Sequence, residues 1–168
     1  AIEFIDFNLK DFSQIEKAIK NSDIVINLVG ILFENSKQKF TNIHSYLPGL
    51  IASHCSESEV KKFIHVSAIG ANANSESVYQ QSKFAGEQKA LNNFKNTIII
   101  RPSVVCGTED NFTNLFAKLS MVPVIPVVKI NYNFQPILVN DVATAIVKAI
   151  EVKKNEGKIY EIGGPKVI

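Results

Sequence analysis

The feature that most constrains this chain is an alternation of short, apolar, β-branched runs with longer stretches of helical spacing. Residues 23–30 (Asp-Ile-Val-Ile-Asn-Leu-Val-Gly), 62–67 (Lys-Phe-Ile-His-Val-Ser) and 97–101 (Thr-Ile-Ile-Ile-Arg) are of strand length and almost continuously apolar. Strands read this way when both faces are buried, as in a parallel sheet. Their βαβα order predicts an α/β fold, a doubly wound parallel sheet with helices on both faces.

The intervening segments carry helix signals. Asp11 or Ser13 can cap a helix whose apolar face is Ile15, Ala18 and Ile19. Residues 40–54 predict a helix interrupted at Pro48 and Gly49. Ser77 and Gln80 have capping-box spacing, and the proline-free stretch after them predicts a helix to about Phe94. Further helices are expected over 110–119 and 141–151, with Asp141 as a cap. Residues 121–128 hold prolines that forbid a central strand. Residues 1–7 are rich in strand formers, and 158–162 predict a last strand ending at Gly163-Gly164-Pro165.

Composition narrows the function classes. With 168 residues, 46% of them hydrophobic, the chain suits one domain with a real core. A net charge of +2 gives no field that selects nucleic acid. The longest apolar runs, over 24–33 and 121–128, fall short of the roughly 20 residues a membrane span requires. Cys55 and Cys106 match no metal spacing, nor do His44, His54 and His65, so no metal site is expected and a reduced cytoplasmic setting fits.

Chemistry concentrates in Tyr79-Gln-Gln-Ser-Lys83. An i,i+4 spacing puts phenol and ammonium on one helix face, where the cation would lower the tyrosine pKa and make it a general acid or base. Ser67 closes a buried strand twelve residues earlier, and parallel sheets bind ligands at the carboxyl ends of their strands. Arg101 reads as structural, a strand-end ion pair or a packing arm, rather than catalytic.

Ordered along the chain are 23–32, Phe63-Ile-His-Val-Ser-Ala-Ile-Gly-Ala71, Tyr79-x-x-x-Lys83 with Gly86-Glu87, Ile100-Arg-Pro-Ser-Val-Val-Cys-Gly-Thr-Glu-Asp110, Phe134-Gln-Pro136, Asn140-Asp-Val-Ala143 and Tyr160-Glu-Ile-Gly-Gly-Pro165. This series resembles the extended short-chain dehydrogenase/reductase family, in the atypical branch that includes the nucleotide-binding accessory subunit of respiratory complex I and its bacterial relatives. The resemblance implies a Rossmann-type domain and a dinucleotide, NADP or NAD. It implies Ser67, Tyr79 and Lys83 as the catalytic triad. The cofactor contacts it implies are Tyr79, Lys83, Pro102, Ser103 and Val104 at the nicotinamide end, with Asn8, Leu9, Val29 and Gly30 near the adenosine half.

The sequence departs from that pattern in three places. The family's first β-α-β unit holds a dinucleotide pyrophosphate on a Gly-x-x-Gly-x-x-Gly turn; no such turn is present, so a partial Rossmann domain with weakened binding is expected. In strand order 3-2-1-4-5-6 the segment 1–7 would then have no neighbour, and should dock poorly unless another polypeptide supplies the missing strands. His44 stands where many active relatives carry a relay asparagine, and Lys129 to Asn133 replace a glycine-containing stretch in a substrate region around 108–136. Three functions follow: a nucleotide-binding accessory-type subunit of complex I, cytoplasmic or peripheral at the inner face of the cytoplasmic membrane; an NAD(P)-dependent oxidoreductase or epimerase; or an inactive fragment of a split gene. The implied partners are complex I subunits or the missing N-terminal piece.

Overall fold

The structure, a computed structural model, describes residues 2–5, 13–110, 133–154 and 156–167. Its elements are α1 (Ser13–Ile19), β1 (Ile24–Asn27), a π-helix (Thr41–Tyr46) running into α2 (Leu47–Ser56), β2 (Lys62–Val66), α3 (Val78–Asn93), β3 (Thr97–Pro102), β4 (Val105–Cys106), β5 (Ile137–Leu138), α4 (Val139–Glu151) and β6 (Ile159–Ile162). Four strands form an all-parallel sheet in the order β1-β2-β3-β6, and β4 pairs with β5 in a separate parallel ribbon. The α/β architecture expected from the alternating pattern is the one found.

Alternation along the central strands assigns the two faces. Phe63 points into a core built with Ile15, Ile19, Leu47, Ile51, Ala52 and Ala90, which covers the sheet with α1, α2 and α3. Ile64, Ile98 and Ile100 point the other way, against Val142, Ile146 and Ala149 of α4. Each fully buried side chain of this kind contributes about 1.5–3 kcal/mol by removal from water, which is why large apolar residues fill the centres of β2 and β3.

Several local expectations are corrected. No interruption divides the helix at Pro48 and Gly49; π-helix and α2 are continuous. A proline ring clashes with the carbonyl four residues back in a regular α-helix, here that of His44, and the wider π turn relieves that clash. The same carbonyl lies against α3: a Cβ on Gly86 would fall 1.8 Å from His44 O, so only glycine permits this approach. Ser77 is the N-cap of α3, yet its side chain makes no capping bond. Ser75 takes over, its Oγ accepting from Ser77 N–H at 3.0 Å and donating to Gln80 Oε1. Asp141 sits in the first turn of α4, whose N-cap is Leu138, and Ala18 faces solvent while Ile15 and Ile19 are buried.

Residues 2–5 form no strand, and Ile2, Phe4 and Ile5 are exposed; the rest of the segment 1–7 lies outside the described residues. The expected helix over 110–119 and the irregular stretch over 121–128 lie outside the described residues but for Asp110. One long-range tie was not foreseen. Lys62 Nζ donates to the carbonyls of Ala149 (3.3 Å), Ile150 (2.7 Å) and Val152 (2.6 Å), so a strand cation caps the C-terminus of α4.

Candidate functional site

The carboxyl ends of β2 and β3 are stitched into one rim. Ser67 N–H donates to Ile100 O at 2.8 Å, Ile69 N–H to Pro102 O at 3.0 Å, and Ser103 N–H to Ile162 O at 2.9 Å. These bonds fix where the chain leaves the sheet. The first turns of α3 bring Tyr79 and Lys83 over that rim, with the Lys83 ammonium 5.8 Å from the centre of the Tyr79 ring.

Six of the residues expected from sequence, Ser67, Tyr79, Lys83, Pro102, Ser103 and Val104, line a single cleft of about 530 Å³. Gly30 lies beside it, because a Cβ there would stand 3.2 Å from Lys83 Nζ. Val29 packs towards the α1–α2 core instead, and Leu28 next to it carries the cleft-facing side chain. Asn8 and Leu9 lie outside the described residues. The wall also includes Leu28, Leu32, Ile69 and Asp110, which the sequence did not single out, since loop residues carry no periodic signal. A neighbouring recess of about 310 Å³ is lined by residues including Glu109 and Val139.

Burial, rather than the lysine cation, sets the acid-base state of the pair. The Tyr79 phenol is pushed above its ordinary value by loss of solvent, against the sequence expectation that Lys83 would lower it. Lys83 is itself depressed to about 8 by desolvation, partly offset by the Glu87 carboxylate one turn away. Beneath them Glu87 is fully buried and accepts two bonds from Arg101, Nε at 2.9 Å and Nη2 at 2.7 Å, while Nη1 reaches Glu161 at 3.0 Å. Arg101 is thus the strand-end ion pair read from the sequence.

Two buried histidines, His44 and His65, lie close to this pair, and their tautomers follow from their partners. Ser82 Oγ donates its one proton to Tyr79 O at 2.7 Å, so it must accept from His44 Nδ1 at 3.0 Å. His44 Nε2 then bears the lone pair that accepts Ile31 N–H at 3.0 Å. Its ring stacks on Phe40 and meets the Tyr79 ring edge-on. Desolvation, with the nearby Lys83 cation, holds it neutral down to about 4. On the sheet, Asn27 Oδ1 accepts Val29 N–H at 3.0 Å, which turns its amide NH₂ towards His65 Nδ1 at 3.2 Å. The His65 proton therefore sits on Nε2, and burial depresses this ring to about 3. His65 Nε2 and Ser67 Oγ are buried without a hydrogen-bond partner among the described residues.

No group of three or more metal-ligating side chains occurs among the described residues, and no described helix is long and apolar enough to cross a membrane.

Comparison with known proteins places this geometry. The sequence model of the RmlD substrate binding domain matches residues 4–165. Over 166 residues, 98% of the chain, the sequence is 35% identical to the mitochondrial NADH dehydrogenase (ubiquinone) 1 alpha subcomplex subunit 9 of Mus musculus, and the match spans 44% of that protein. The chain thus spans less than half the length of this relative. Among solved structures, UDP-glucuronic acid 4-epimerase from Bacillus cereus in complex with NAD superimposes with a TM-score of 0.80 at 21% identity, over 99% of this chain and 62% of the other. The dTDP-4-dehydrorhamnose reductase from Bacillus anthracis in complex with NADP gives 0.78 at 18%, over 96% and 64%. At such identities these two likenesses establish the Rossmann-like fold.

Proposed function

Because the chain belongs to the RmlD substrate binding domain family, we propose that its cleft is the nicotinamide end of an NAD(P)-binding site in an accessory subunit of the complex I type. The observation that carries this reading is the convergence of Ser67, Tyr79, Lys83, Pro102, Ser103 and Val104 on one cleft at the carboxyl edge of the sheet. Both structural neighbours named above are complexes with NAD or NADP, and the mouse relative is by name a subunit of NADH dehydrogenase.

The residues fit the group. Ser67 offers a buried hydroxyl without a partner, and Gly30 leaves the Lys83 ammonium open from the β1 side. Tyr79 and Lys83 would hold ribose hydroxyls, and 102–104 the nicotinamide ring. When bound, the dinucleotide supplies or accepts hydride. Asn8, Leu9 and Gly30 would face the adenosine half, with Gly30 beside Lys83; Val29, turned to the α1–α2 core, drops out of the contact set. Since no glycine turn for the pyrophosphate is present in the sequence, titration of the 168-residue chain with NADPH should show no saturation of nicotinamide fluorescence below about millimolar, given how much such a turn supplies through its backbone N–H groups. Micromolar saturation would overturn that requirement. The subunit role predicts co-purification with complex I subunits at the inner face of the membrane, and recovery as a clean monomer would count against it.

Holding without turnover suits the histidine close to Lys83. A proton leaving Lys83 would meet His44, whose Nε2 lone pair is occupied by Ile31 N–H. The second reading, an oxidoreductase or epimerase, is favoured by the retained Ser67, Tyr79 and Lys83, with Tyr79 as acid or base. In a version of the protein carrying the glycine turn, that reading requires Tyr79→Phe to abolish turnover while sparing cofactor retention. An inactive fragment is the third, and predicts neither binding nor association.

A further inference from the structure

We propose that Lys83 is a nucleophilic amine that captures small apolar aldehydes entering the cleft, as a reversible imine. The inference concerns the chain's own side chains and does not rest on dinucleotide binding.

The Lys83 side chain is buried, yet lines a cleft open to solvent whose walls include Leu28, Leu32, Ile69 and Val104. An apolar aldehyde would exchange water for those walls, whereas a charged one would gain little. The polar groups in the same cleft suit the oxygen that must leave. Ser67 Oγ is buried with no partner, and Tyr79 keeps its proton because burial disfavours the phenolate.

The groups facing the amine supply it with only a partial counter-charge, from Glu87. The π-helix presents His44 and β2 presents His65, both neutral with their tautomers fixed by hydrogen bonds. From α3 come Tyr79 and Glu87, the latter committed to Arg101 of β3; Asp110 lines the same cleft. With its ammonium form depressed to about 8, the side chain is neutral in about a tenth of molecules near pH 7, whereas an ordinary lysine is neutral in well under a thousandth.

The step balances without an oxidant. The amine lone pair forms a C–N bond to the aldehyde carbon, and the carbonyl oxygen takes a proton to give a carbinolamine. Loss of the nitrogen proton and of that oxygen as water leaves the imine, with water the only by-product.

The test uses the wild-type chain. Benzaldehyde with cyanoborohydride, which reduces an imine to a stable secondary amine, is added near pH 7, and labelling of each lysine is followed by peptide mass mapping. Lys83 should label at least about tenfold faster than Lys61, an exposed lysine whose ammonium is stabilised by Asp23 at 2.7 Å. Its rate should climb to about pH 8 and level off, while Lys61 continues to climb. Glyoxylate, small but anionic, should lose the preference. Equal rates at Lys83 and Lys61, or an equal preference with glyoxylate, would overturn the proposal. In Lys83→Arg, whose folding circular dichroism reports, the fast phase should vanish; its persistence would place the reactive amine elsewhere.

Discussion

Acid should destabilise this protein well above the pH at which carboxylates titrate, because two buried imidazoles must stay neutral in the fold. His44 and His65 are held at about 4 and about 3, mainly by desolvation, whereas in the unfolded chain each titrates near 6.5. Both folded values are depressed, so the stability they contribute is complete above about 6.5 and drains away as pH falls towards 4 and then 3. At pH 5 the unfolded chain has bound nearly both protons and the folded chain almost neither. That is about 1.5 pH units at about 1.4 kcal/mol per unit, or roughly 2 kcal/mol for each histidine. Together they remove about 4 kcal/mol between pH 7 and pH 5, against a typical total of about 5–15 kcal/mol. Urea denaturation at the two pH values, followed by far-ultraviolet circular dichroism, measures the difference directly. A change below about 1 kcal/mol would refute the assignment of both rings as buried and neutral. His65→Leu should recover about half of the pH dependence, since that ring then has no proton to bind.

Other substitutions probe the remaining structure. Glu87→Gln strips the charge partner from Arg101 and should cost about 3–5 kcal/mol in denaturant unfolding; a loss under about 1 kcal/mol would show that the pair is not buried as described. Lys62→Met removes the donor shared by three carbonyls at the end of α4 and should cost about 1.5–3 kcal/mol, with hydrogen exchange accelerating at 149–152. Gly86→Ala drives a methyl into His44 O and should cost about 3 kcal/mol or more. Ser67→Ala, by contrast, should leave stability within about 0.5 kcal/mol, since its hydroxyl has no partner to lose, while weakening any ligand that uses it.

What the sequence disclosed followed the range of the forces involved. β2 and β3 were legible because burial on both faces favours β-branched and aromatic residues at their centres, and α3 because no proline interrupts 78–93. The convergence of Ser67, Tyr79 and Lys83 could be read from an i,i+4 spacing and the rule for strand ends. The continuous passage from π-helix to α2 could not, since Pro48-Gly49 spells a break in local terms that the preceding π turn relieves. Likewise Lys62 at the end of α4, and Asn27 against His65, join residues far apart in sequence, where no periodicity speaks. Even Tyr79 misled: the neighbouring cation was visible in the sequence, but the burial that outweighs it was not.

The clamp around His44 also makes this imidazole a natural probe. An Nδ1 proton shared with Ser82 on a ring with 1% of its surface exposed is shielded from exchange, and should give a discrete downfield proton resonance. Such a signal would report, without any attached label, whenever the loop at Ile31 or the first turn of α3 moves.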